Sequence, residues 1–112
     1  MNTEKKVLSL VLNNWRKTKR EFEAEEIDIR HVKNILLTNI CPLCHFYFDA
    51  RTGCTPCPIK RMLGVQCVDH PLWKLFVSNL DECILDGRIG RKYILVPWGK
   101  IIRVITKLYN RV

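Results

Sequence analysis

The 112-residue chain has no apolar run near the roughly 20 residues that a membrane-spanning helix needs, so no membrane span is expected. Nor is a signal peptide expected: the first apolar run, Val7 to Leu12, is short and follows a start of mixed charge. There is no Gly-rich phosphate loop, no His-Glu-x-x-His helix and no histidine placed beside a serine nucleophile. The zinc-deaminase pattern needs His-x-Glu ahead of its Pro-Cys-x-x-Cys, and that is also absent. With these chemistries removed, the chain reads as a non-enzyme. Acid is missing from residues 88–112, although seven of those 25 side chains are basic. Disorder is not expected, because 47% of residues are hydrophobic and 27% charged, an ordinary globular balance. The length suits a single domain, 1–112, with a modest core.

What is present and concentrated is cysteine. Cys41-Pro-Leu-Cys44 and Cys54-Thr-Pro-Cys57 are two C-x2-C pairs nine residues apart, and Cys67 follows after nine more. The tight turn inside such a pair aims both sulfurs at one point. Two pairs supply the four soft ligands of a tetrahedral Zn2+ or of an iron–sulfur cluster. Spacing does not fix which four of the five bind. The simplest set is Cys41, Cys44, Cys54 and Cys57, with Cys67 as substitute or neighbour; His45 and His70 read as neighbours. Zn2+ is the leading expectation, and a [4Fe-4S] cluster is the alternative to which the Cys57-Pro58 dipeptide points. A closed four-thiolate site leaves no open position for an activated water, so its role is structural. Without a secretory signal, paired cysteines imply a reducing, cytoplasmic setting (host cytoplasm if the chain is viral), where they serve metal more often than disulfides.

Around this knuckle the sequence predicts a mostly α domain. A helical part spans 1–40, the metal knuckle 41–67 and a second helical part 69–112, with four principal helices around one small core. Thr3 caps a first helix running to about Phe22, with Val7, Leu8, Val11, Trp15 and Phe22 as its buried stripe. Arg16, Lys17, Lys19 and Arg20, then Glu21, Glu23, Glu25 and Glu26, read as a solvated surface whose charges satisfy one another. Asp28 caps a second helix carrying Ile29, Val32, Leu36 and Ile40 on one face, with His31 exposed in its first turn.

His45 to Phe48 is strand-like, and 41–57 reads as a short hairpin or loop closed by metal at its base. Pro58 opens a short helix, Ile59 to Leu63, which Gly64 ends. Asp69 caps a long helix ended by Gly87, with Leu72, Trp73, Phe76, Val77, Leu80, Cys83 and Ile84 along its apolar face. On that face Cys83 reads as a buried, inert thiol. Tyr93 to Val96 reads as a short extended segment. Pro97 then opens the last helix, with Trp98, Ile101, Ile102, Ile105, Leu108, Tyr109 and Val112 on one face.

The series Cys41-x2-Cys44, Cys54-x2-Cys57-Pro58-Ile59, Gly64, Cys67, Pro71, Trp73 resembles a group of small, mostly uncharacterised bacteriophage proteins. They share two C-x2-C pairs, an apolar residue after Cys-Pro, a Gly, a fifth Cys and a following Pro with aromatics. The resemblance covers about a quarter to a third of the chain, with Trp15 a further match. It implies a viral protein and carries no particular activity with it; separately, a knuckle followed by a short helix resembles a zinc-finger style of arrangement. The basic tail is not part of it.

Charge gives the functional lead. The net charge is +8, divided as +2 over residues 1–40, −1 over 41–87 and +7 over 88–112. Lys100, Arg103, Lys107 and Arg111 share the face opposite the apolar stripe of the last helix, and Arg88, Arg91 and Lys92 precede them in a basic turn. Such a stripe reads as a solvated face, a nucleic-acid contact or a membrane-surface contact; the last conflicts with the core's need for the apolar stripe. The expectation is a small structural-zinc protein that binds DNA or RNA through this face, with Arg51, Lys60 and Arg61 adding cations near the knuckle. The alternative is a phage-encoded interaction module that binds and modulates an acidic host protein.

Overall fold

The computed structural model describes residues 3–34, 36, 51, 57–64, 70–86 and 90–112. They form helices α1 (Thr3–Glu23), α2 (Ile29–Lys33), α3 (Pro58–Leu63), α4 (Pro71–Asp86) and α5 (Lys92–Arg111). No strand occurs among the described residues. The expected hairpin over 41–57, including the strand-like His45 to Phe48, lies outside the described residues apart from Arg51 and Cys57.

Helix α1 is amphipathic in the expected way. Val7, Leu8, Val11, Leu12, Trp15, Thr18 and Phe22 are buried along one face. The charge run on its far half pairs at helical spacing, Lys17 with Glu21 at 3.8 Å and Lys19 with Glu23 at 3.0 Å. How α1 ends is not foreshadowed by any glycine. The Glu25 N–H donates to Phe22 O (3.1 Å) and the Glu26 N–H to Glu21 O (2.9 Å), the paired bonds of a Schellman turn. Glu25 takes the left-handed position at φ 61°, where glycine is the usual occupant.

Asp28 caps α2 as expected: its Oδ1 accepts from the His31 N–H at 2.8 Å. Val32 and Leu36 are buried, and Lys33 reaches across to Asp81 of α4 at 2.7 Å. In α3, Pro58 occupies the first turn, and Gly64 stops the helix in the left-handed region at φ 79°. Helix α4 keeps Trp73, Phe76 and Leu80 in the core, whereas Leu72, Val77, Cys83 and Ile84 are half-buried. Cys83 is thus on the apolar face but less enclosed than expected. Asp69 lies outside the described residues. At the start of α4 the His70 Nδ1 accepts the Leu72 N–H at 3.1 Å, and its carbonyl takes the Lys74 N–H. His70 therefore stands at the capping position.

The clearest departure concerns α5. Tyr93 to Val96 is not extended: the helix begins at Lys92, and Pro97 lies inside it. A proline there has no N–H for the carbonyl four residues earlier, which is Tyr93 O. That carbonyl instead accepts from Asn79 Nδ2 of α4 at 2.7 Å. A side chain from the neighbouring helix thus replaces the bond that proline removes, so the helix can run through the site where the sequence alone favoured a fresh start.

Helices α1 and α5 pack antiparallel: Lys5 meets Tyr109, Trp15 meets Trp98 and Phe22 meets Arg91. Helix α4 lies antiparallel to α5, through Phe76 on Trp98 and Asn79 on Tyr93. Where the three helices meet, all three tryptophans join one aromatic cluster. Trp15 packs edge-on against Trp98 (6.4 Å between ring centroids) and Trp73 (6.2 Å), while Phe22 stacks on Trp98 at 5.9 Å. The Trp98 indole N–H donates to Trp15 O at 3.1 Å, so the cluster's most buried ring carries no unsatisfied polar atom.

Candidate functional site

Burying the apolar side of α5 dictates what its other side presents. Ile94, Pro97, Trp98, Ile101, Ile105 and Leu108 are buried, which turns Lys92, Lys100, Arg103, Lys107 and Arg111 outward, and all five are exposed. At about 1.5 Å per residue these cations extend over roughly 28 Å, the last four over roughly 17 Å. Among the described residues none of the last four makes an ion pair, and α5 itself contains no acid. Their fields therefore add along one line, with no acidic side chain on α5 to offset them.

The remaining basic residues singled out from the sequence behave differently. Arg91 turns inward over the end of α1. Its Nη1 pairs with Glu25 Oε1 at 3.0 Å, its Nη2 donates to Phe22 O, and its guanidinium lies 4.5 Å from the Phe22 ring centroid. Arg61 pairs with Glu4, tying α3 to the first turn of α1, and Lys60 Nζ donates to Gly64 O at 3.2 Å. Arg51 is exposed, and Arg88 lies outside the described residues.

Two cations with no sequence signal for this placement flank the line from α1. Arg16 Nη2 donates to Thr106 Oγ1 at 3.4 Å, and Lys5 Nζ sits 4.8 Å from the Tyr109 ring centroid. Helical periodicity shows that Arg16 and Lys5 share one edge of α1. It does not show that this edge borders α5.

Of the cysteines in the knuckle, Cys57 is described; Cys41, Cys44, Cys54 and Cys67 lie outside the described residues. Cys57 is buried within the core cluster at the start of α3, and its carbonyl accepts the Arg61 N–H at 2.9 Å. The last residue of the second C-x2-C pair is thus fixed to the helical body through α3, which the Arg61–Glu4 pair holds to α1. No group of three or more metal-ligating side chains forms among the described residues. His70 has its Nδ1 occupied in capping α4, which leaves only Nε2 for any ligand. No described helix is long and apolar enough to cross a membrane. No protein-family model, no curated protein and no solved structure matches the chain.

Proposed function

We propose that this chain is a small structural-zinc protein that binds nucleic acid through the outward face of α5. The observation that carries the reading is the line of Lys92, Lys100, Arg103, Lys107 and Arg111, exposed together on a helix without acid. A polyanion is the partner that such a line fits, because each cation that meets a phosphate releases condensed counterions. Arg16 and Lys5 broaden the surface toward α1. Arg91 is assigned to holding α1 and α5 together and not to the contact.

In this reading Cys41, Cys44, Cys54 and Cys57 hold one Zn2+, with Cys67 as substitute or neighbour, and the knuckle is an insertion between α2 and α4 that includes α3. An all-thiolate donor set suits zinc, and the buried setting of Cys57 suits a site that excludes water. The ion stabilises the fold and supplies no chemistry.

The test compares the intact protein with an Arg103→Gln/Lys107→Gln variant in binding to labelled DNA and RNA. Both changes are on exposed positions and keep helix propensity, so folding is retained. The expected result is binding weakened at least about tenfold at low salt. Equal binding by both proteins would reject the α5 face and favour an acidic host protein as the partner.

A further inference from the structure

We infer that the nucleic acid taken by this face is single-stranded, and that Tyr93 is a stacking platform for one of its bases; the inference rests on the binding reading above. Among the described residues, Trp15, Phe22, Trp73, Phe76 and Trp98 are buried and Tyr109 is half-buried. Tyr93 differs, being 54% exposed in the first turn of α5. Nothing in the packing requires an aromatic ring there, since Ile94, Pro97 and Trp98 already fill the inward side. Gly90 lies near the ring edge, its Cβ position 3.9 Å from Tyr93 Cδ2, and as glycine it places no side chain there.

The ring also belongs to the basic line. Lys92 Nζ lies 5.2 Å from its centroid, Val96 is 56% exposed one turn on, and Lys100 follows after another. A base stacked on Tyr93 would have a cation beside it for its own phosphate and the rest of the line for the phosphates that follow. That combination of a π-face and a basic track is how single strands are held without regard to sequence. A duplex fits less well. Its bases are stacked away from Tyr93, which leaves the ring face unused, and its phosphates would meet the apolar Val96 in the first half of the line. Beyond the cations and Tyr93, the outward face offers only Asn110 as a hydrogen-bonding side chain for reading base edges.

The experiment measures binding of a labelled oligothymidine strand and of a duplex of equal length, each at several salt concentrations. The proteins are the intact chain, Tyr93→Leu, Tyr93→Trp and Arg103→Gln/Lys107→Gln, with far-ultraviolet circular dichroism as the check on folding. We expect the intact protein to prefer the single strand. Tyr93→Leu should weaken single-strand binding about tenfold while leaving the salt slope and duplex binding unchanged, and Tyr93→Trp should retain it. If Tyr93→Leu binds the single strand like the intact protein while the double variant binds worse, the stacking inference fails and the basic line stands. A double variant that equals the intact protein on both probes overturns the binding reading and this inference with it.

Discussion

Asn79 and Pro97 should be energetically coupled, although they are on different helices. Pro97 leaves Tyr93 O without its intrahelical donor, and Asn79 Nδ2 supplies one at 2.7 Å. Asn79→Ala in the native background removes that bond and should cost about 1 kcal/mol, the usual net value for a hydrogen bond that is not deeply buried. In a Pro97→Ala background the backbone N–H is restored and closes the normal bond to Tyr93 O. The same Asn79→Ala change should then cost no more than about 0.3 kcal/mol, the level at which independent sites are additive. Pro97→Ala alone mixes better helix propensity with lost burial of the ring, so only the coupling is diagnostic. Urea unfolding of the four proteins of the cycle, with m-values compared, gives it directly; the native-background change corresponds to about 4 °C in Tm. An Asn79→Ala penalty equal in both backgrounds would refute the claim that Asn79 is what lets α5 run through Pro97.

Three further outcomes follow from the packing and the proposed metal. Glu25→Gly relieves a side chain held at φ 61° in the Schellman turn and should stabilise by about 0.5–1 kcal/mol, net of its exposed pair with Arg91, as read by thermal unfolding. Arg91→Ala removes the donor to Phe22 O and the cation over its ring, and should destabilise by roughly 1–2 kcal/mol without altering the salt slope of nucleic-acid binding. A shallower slope would return Arg91 to the contact surface. Chelation of zinc, or Cys44→Ser, should loosen the middle of the chain but keep the near-ultraviolet dichroism of the tryptophans, because Trp15, Trp73 and Trp98 are clustered where α1, α4 and α5 meet. Loss of that signal together with the metal would show that the bundle does not stand without the knuckle.

What the sequence made legible and what it concealed separate along physical lines. Apolar periodicity located α1, α4 and most of α5, since Trp15, Phe76, Leu80 and Trp98 can be buried together only if their segments are helical. Asp28, Pro58 and Gly64 worked as punctuation because each acts through its own backbone neighbourhood. The misses were cases where a partner remote in sequence decides. Proline punctuates a helix unless another element satisfies the freed carbonyl, and nothing near Pro97 announces Asn79. Arg91 looks like any cation of a basic turn until the fold brings Phe22 O beneath it. Glu25 in a left-handed turn and His70 as a cap are local, but neither residue type is the usual choice there, so propensity passes them over. The cysteine spacing carries a zinc proposal of its own, and apart from Cys57 its residues lie outside the described ones.

The most direct measurement of the central claim is the salt dependence of single-strand affinity for the intact protein and for Arg103→Gln/Lys107→Gln. Five cations on phosphates give a slope of log affinity against log salt near −3.5, and three give about −2. Between roughly 50 and 200 mM salt the intact protein should therefore lose about a hundredfold in affinity, and the double variant about twentyfold. Parallel slopes for the two proteins, whatever their absolute affinities, would contradict the account by showing that the outward line of α5 does not meet the phosphates.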